Sequence, residues 1–277
     1  MGSGLELFAL KDKVAVVTGG GGVLCGAIAE GLARAGATVA VCDIFEDKAE
    51  EEAARIRACG CQGRAYKMDV LARESLEEQS ERICREFGQV DILVNGAGGN
   101  QKQATTSPDL AFFDLPLEAM QRVVNLNLFG GAILPSQVFG RCMVKNPEGG
   151  SIINISSMNA LRPLTRIPGY SAAKAAVSNF TQWLAVHFAV EYTPKLRVNA
   201  IAPGFFLTEQ NRFLLTDQQT GELTERGKVI LAHTPMREFG KAEDLVGAVI
   251  WLASDAARFV TGIVVPVDGG FSAFAGV

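Results

Sequence analysis

Short β-branched runs alternate with longer segments of helical periodicity from Val14 almost to the carboxyl end, and no Pro- or Ser-rich linker breaks the alternation. Repeated strand and helix units return each strand in the same direction, so the pattern predicts a parallel sheet with helices on both faces. Strands are expected at residues 14–18, 38–42, 64–68, 92–95, 151–155, 197–201 and 263–266. Leu24, Ile28 and Leu32 fall at i, i+4 and i+8, the buried stripe of a first helix, and Gly36 is placed to end it. About seven strands fit one doubly wound α/β domain over residues 1–277. The longest irregular stretches are residues 98–116 and 203–240. Loops at strand ends carry the chemistry of such folds, so both are expected to close over a substrate.

Composition narrows the function. With 277 residues, 48% hydrophobic, the chain can bury a sizeable core, which excludes disorder. A net charge of -4 gives no electrostatic case for nucleic acid or an anionic membrane as partner. Only His187 and His233 offer imidazoles, which makes a His-built zinc site or a Ser-His-Asp triad hard to assemble, and no metal is expected. His187 reads as an interior or subunit-facing residue and His233 as part of a loop, its role left open. The six cysteines lack CxxC spacing and read as free, buried thiols of a reducing compartment. No signal-peptide pattern and no uninterrupted run of eighteen apolar residues is present, so a cytoplasmic location is expected.

The first strand runs into Gly19, Gly20, Gly21 and Gly22 and then into the first helix. Backbone amides at that helix start can face a pyrophosphate, and the helix dipole favours the negative charge. Glycines that merely turn the chain would give the same string, but Asp43 closes the second strand about 20 residues further on, where an acid can accept ribose hydroxyls. An acid there repels a 2′-phosphate, and Ile44 and Phe45 follow it rather than arginine, so NAD is expected over NADP. The chain thus reads as a Rossmann-type doubly wound parallel sheet. Gly19, Gly21, Gly22, Val23 and Leu24 are expected at the pyrophosphate. Asp69 and Val70 after the third strand, with Asn95, Gly96 and Ala97 after the fourth, are expected to border the adenine and its ribose.

Ser157 follows the fifth strand, and Tyr170 and Lys174 lie four residues apart on one face of the next helix. A bare YxxxK occurs by chance in ordinary amphipathic helices. A phenol of pKa about 10 needs a nearby cation to exchange protons at neutral pH, however, and Lys174 supplies one. Hydride transfer to a carbonyl requires a proton at the developing alkoxide, which Tyr170 can deliver while the Ser157 hydroxyl holds the oxygen.

The joint occurrence of Thr18-Gly19, Asn95-Gly-Ala-Gly98, Asn127-Leu-Phe-Gly130, Ser157, Tyr170-x-x-x-Lys174, Pro203-Gly204 with Thr208, and Asp268-Gly-Gly270 resembles the short-chain dehydrogenase/reductases over nearly the whole chain. The resemblance implies that Ser157 orients the carbonyl and that Tyr170 is the acid/base. It implies that Lys174 lowers the phenol pKa and holds the nicotinamide ribose, and that Asn127 positions a water in the proton relay. It further implies that Pro203, Gly204, Phe206 and Thr208 border the nicotinamide, and that the protein is a homotetramer. One departure stands out: Val23 and Cys25 occupy places where the family usually has glycine.

Near the reacting carbonyl the sequence puts Asn100, Gln101, Lys102 and Gln103, then Met158, Asn159, Arg162 and Arg166, then Phe205 and Asn211. Amides and cations suit hydroxyls and a carboxylate better than an acyl chain or a steroid, so a sugar acid is the expected substrate. Longer stretches, among them residues 154–170 and 202–212, resemble the D-mannonate oxidoreductase (fructuronate reductase) branch, which implies interconversion of D-fructuronate and D-mannonate. A gluconate 5-dehydrogenase or another ketoaldonate or polyol enzyme would carry a similar polar set, and a non-catalytic dinucleotide sensor could share the fold.

Overall fold

The computed structural model of the chain describes residues 4–207, 215–217 and 220–276. Seven parallel strands form one sheet in the order β3-β2-β1-β4-β5-β6-β7. They are β1 (Val14–Thr18), β2 (Thr38–Asp43), β3 (Gly63–Lys67), β4 (Ile92–Asn95), β5 (Gly150–Ile155), β6 (Leu196–Pro203) and β7 (Val264–Val267). The flanking helices are α1 (Val23–Arg34), α2 (Glu46–Ala58), α3 (Arg73–Phe87), α6 (Pro168–Glu191), α7 (Glu225–His233) and α8 (Val246–Ala253). Between α3 and β5, α4 (Leu117–Val124) passes through a π-helical stretch, Asn125–Ile133, into α5 (Leu134–Met143).

The period-two side-chain alternation of the strands builds two cores. Ala15 and Val17 of β1 face α1, α2 and α8, where they meet Ile28, Ile56 and Leu252. Val14 and Val16 face the other way, toward Leu76 of α3, Phe139 of α5 and Leu184 of α6. Every residue of β1 is buried, as both-sided cover requires. Each such Val, Leu or Ile removed from water contributes ~1.5–3 kcal/mol. The helix Leu117–Met143 is long and apolar enough to cross a membrane by length and composition, but 56% of its apolar window is buried inside the protein.

The first helix starts at Val23 and stops before Gly36, which takes φ +108. Three expectations are corrected. The stretch 203–240 is not irregular throughout, because Thr224 caps α7 by accepting from Gly227 N at 3.1 Å. His233 therefore closes a helix rather than sitting in a loop, and its Nδ1 lies 2.8 Å from Val229 O. The thiols are free, but only Cys25 and Cys42 are buried, and Cys59 is exposed.

Candidate active site

Strand order reverses between β1 and β4, which opens a crevice at the carboxyl ends of these strands. The glycine loop lies there, and bare backbone is a steric requirement at two of its positions. Gly19 takes φ +66, and a Cβ on it would stand 2.9 Å from Ala97 Cα. A Cβ on Gly21 would stand 2.7 Å from Lys48 Cβ on α2. Gly20 N donates to Cys42 O at 3.0 Å and Gly22 N to Gly19 O at 3.0 Å, which folds the loop onto itself and onto β2. No side chain caps α1, so the amides of Val23, Leu24 and Cys25 have no acceptor among the described residues. Three unpaired donors at the positive end of a twelve-residue helix form an anion site of pyrophosphate size.

The Asp43 carboxylate, half-buried at the end of β2, accepts from Gly21 N and Phe45 N, both at 3.1 Å. It thus ties the loop to the place where a ribose would lie. Asp69 accepts from Leu71 N at 2.9 Å. The Val70 side chain belongs to the α3 core, which leaves only its backbone for a nucleotide. Asn95 is turned inward, its Nδ2 donating to Ser136 Oγ at 3.0 Å and Asn154 Oδ1 at 2.8 Å. Gly96 N and Ala97 N donate to Thr18 Oγ1 at 3.0 and 3.3 Å. These bonds fix the floor of the crevice at the ends of β1 and β4.

The end of β5 and the start of α6 bring Ser157, Tyr170 and Lys174 together. Ser156 Oγ lies 2.7 Å from Ser178 Oγ and donates to Lys174 O at 3.2 Å, docking the helix on the strand. Lys174 is buried, and its Nζ donates to Ile155 O at 2.8 Å and lies 5.6 Å from the Tyr170 ring centroid. Burial pushes the Lys174 ammonium down to about 8. Burial also raises the Tyr170 phenol above its ordinary value, and the hydrogen bond with Ser157 opposes that shift. The apolar wall responsible includes Ala104, Ala119 and Val123. Burial thus favours the protonated phenol at neutral pH.

Asn127 lies in the π-helical stretch, fully buried, with its Nδ2 donating to Gly99 O at 2.6 Å and Val123 O at 2.8 Å. Its Oδ1 accepts from Gly99 N at 3.1 Å. A Cβ on Gly98 would stand 2.7 Å from that Oδ1 and 3.4 Å from Lys174 Nζ, so the turn after β4, Asn127 and Lys174 converge. The side-chain amide of Asn127 is committed to this turn.

Several candidate substrate residues have other work. Asn159 donates from N and Nδ2 to Ser157 Oγ at 3.2 and 3.4 Å, and its Oδ1 accepts from Leu164 N and Ser171 Oγ, both at 3.1 Å. It is thereby tied to Ser157. Met158 is buried, and Phe206 packs into the core against Gly240. Arg162 Nε donates to Ser272 O at 3.1 Å, and Phe205 meets the Phe271 ring edge-on at 5.2 Å. Asn100 donates to Thr105 Oγ1 at 2.9 Å, and Gln101 accepts from Arg122 at 3.4 Å. Pro203 ends β6, and Gly204 lies so close to Asp268 that a Cβ would stand 2.6 Å from its Cα. Thr208 and Asn211 lie outside the described residues. Among the described residues no group of three or more His, Cys, Asp or Glu could hold a metal.

A family model described as enoyl-(acyl carrier protein) reductase matches residues 23–272. The Bacillus subtilis oxidoreductase UxuB is 50% identical over 277 residues, covering 97% of this chain and 98% of its own. A crystal structure of a Haemophilus influenza protein, proposed as a D-mannonate oxidoreductase and holding NAD, is 46% identical with a TM-score of 0.89, covering 97% of this chain and 98% of its own. The 2-dehydro-3-deoxy-D-gluconate 5-dehydrogenase of Dickeya dadantii is 34% identical, covering 97% and 99%.

Proposed function

The chain belongs to the short-chain dehydrogenase/reductase family, and we propose that it moves a hydride between NAD(H) and a sugar acid, with D-fructuronate and D-mannonate as the pair. The observation that carries this reading is the Ser157, Tyr170 and Lys174 cluster set beside the glycine cradle at one edge of the sheet. The similarity to the Haemophilus protein supports the substrate, and its bound NAD supports the cofactor. Asp43 adds to the case for NAD, since a 2′-phosphate would face its carboxylate.

The cradle residues fit a dinucleotide: free amides at Val23, Leu24 and Cys25 for the pyrophosphate, and Asp43 for the adenosine ribose. When bound, NAD(H) supplies or accepts the hydride. Ser157 holds the substrate oxygen through its hydroxyl, with Asn159 fixing the orientation. Tyr170, protonated at neutral pH, donates its phenolic proton to the oxygen that receives charge, and Lys174 stabilises the phenolate left behind. Asn127 keeps Gly98 and Gly99 tight against Lys174. This arrangement favours carbonyl reduction at neutral pH and alcohol oxidation at higher pH. The exposed apolar side chains of Trp183, Val186, Val190 and Tyr192 on α6 support assembly into a homo-oligomer.

The test is Tyr170→Phe with D-fructuronate and NADH. Turnover is expected to fall by ~10²–10⁴-fold with NADH affinity and fold intact. Near-normal kcat in this variant removes the mechanism.

A further inference from the structure

Lys174 is held at both ends by consecutive residues of the β5 end. Its Nζ donates to Ile155 O at 2.8 Å, and its backbone carbonyl accepts from the Ser156 hydroxyl at 3.2 Å. Both partners stand directly before Ser157 in the chain, so the spacing between Ser157 and the lysine is set at this one strand end. The strand end is fixed in turn, because Ser156 N donates to Ile201 O of β6 at 2.8 Å.

A serine hydroxyl carries one proton, and that of Ser156 goes to Lys174 O. At the 2.7 Å contact between Ser156 Oγ and Ser178 Oγ the donor is therefore Ser178. A helical serine left to itself bends back onto the carbonyl four residues before it, and for Ser178 that carbonyl belongs to Lys174. Ser156 stands between the two instead and joins them to the strand. The same faces meet again further along: Asn154 Nδ2 donates to Thr181 Oγ1 at 2.9 Å, and Thr181 Oγ1 donates to Val177 O at 2.8 Å. Residues 154 and 156 share one face of the strand, and residues 178 and 181 share one face of the helix. Ser156, Asn154 and Thr181 are buried, so water does not compete for these bonds.

We infer that Ser156 and Ser178 are positioning residues for the proton transfer: their paired hydroxyls set where Lys174, and Tyr170 one helical turn before it, stand relative to Ser157. The inference rests on the carbonyl reduction proposed above and adds to it two hydroxyls that act through Lys174 rather than on the reacting atoms. With either hydroxyl removed, α6 keeps its internal bonds and its Asn154 to Thr181 tie, while the Ser156 to Ser178 link beside Lys174 is lost. A displacement of about 1 Å at a reacting group costs up to ~100-fold in rate. The glycine cradle and Asp43 lie on other elements, so cofactor binding is left in place.

The experiment compares the wild type with Ser156→Ala, Ser178→Ala, the double variant and Ser178→Thr, in steady-state reduction of D-fructuronate by NADH and in thermal unfolding. Each alanine variant is expected to lower kcat ~10-fold or more, with KM for NADH and for the ketoacid within about 2-fold of the wild type. The double variant is expected to be no slower than either single one, because both changes open the same link. Ser178→Thr keeps the hydroxyl at a half-buried position and is expected to restore most of kcat. Near-normal kcat in either alanine variant, even with a lowered Tm, overturns the inference and leaves a structural bond only. So do losses of kcat matched by rises in KM, losses that multiply in the double variant, or a threonine variant as slow as alanine. If the wild type ignores D-fructuronate but reduces another ketoaldonate or a ketose, the substrate assignment falls and the same variants, read on that compound, decide the positioning role by itself. A wild type that reduces none of these compounds removes both.

Discussion

Lys174 is a cation held where water cannot reach it, and replacing it by methionine separates its cost to the fold from its use in the site. The side chain is 4% exposed, and burial pushes its pKa from 10.5 to about 8. That shift corresponds to about 3 kcal/mol of destabilisation in the charged form. Lys174→Met removes the charge at similar volume but also the 2.8 Å hydrogen bond to Ile155 O, a loss of about 1–2 kcal/mol. The balance at pH 7 favours the variant by about 1–2 kcal/mol, or ~3–6 °C in Tm for a chain of this size. The pH dependence fixes the cause. In the wild type the penalty is complete below the folded pKa near 8 and disappears as pH rises to 10.5, where the unfolded lysine also loses its proton. Stability of the wild type relative to the variant therefore rises across pH 8 to 10.5, and the order reverses at the upper end because only the lost hydrogen bond remains. Urea unfolding of both proteins without cofactor at pH 7, 9 and 10.5 measures this. A variant less stable at pH 7, or a gap that stays constant with pH, refutes the buried-charge argument. Activity is expected to be lost at every pH.

Asp43→Ala removes both the ribose acceptor and the acceptor for Gly21 N, so KM for NAD is expected to rise about 10-fold or more, with NADP less affected. Steady-state kinetics with both cofactors decide it, and parallel losses would show a purely structural role for the acid. Asn159→Ala frees Ser157 Oγ from its two donors and is expected to lower kcat ~10-fold with NADH affinity unchanged in fluorescence titration. Trp183→Glu, placed on the exposed face of α6 where the indole stacks on His187 at 4.7 Å, is expected to lower the assembly mass in sedimentation. A monomeric wild type would end the oligomer reading.

The strands were legible because burial on both faces leaves no alternative to continuous apolar runs: 14–18 and 92–95 match β1 and β4 in the structure. Strand ends were less so. β6 extends to Pro203 because its register with β7 continues to Val267, which depends on a partner sixty residues away in sequence. The Ser157, Tyr170 and Lys174 set was legible because one helix turn and one strand end fix it locally. The ties of Asn159 to Ser157 and Ser171 were not legible, because these partners come from both sides of a loop whose path no local pattern encodes.

The substitution of Val23 and Cys25 where glycine is usual finds its explanation in what the loop requires of each position. A pyrophosphate needs amide donors, and Val23, Leu24 and Cys25 present theirs whatever side chains they carry. Bare backbone is required where another chain segment passes close, and that is at Gly19 against Ala97 and at Gly21 against Lys48. Cys25 points instead toward the turn after β4, where its Sγ fills space that a Cβ on Gly96 would need. The bulk at this contact sits on the helix side, and the facing turn is the side left bare. Val23 begins the helix with its side chain half in solvent. The cradle therefore keeps its donors and its close approaches while two positions that carry glycine elsewhere carry side chains here, because the constraint belongs to pairs of facing backbones rather than to a string of glycines.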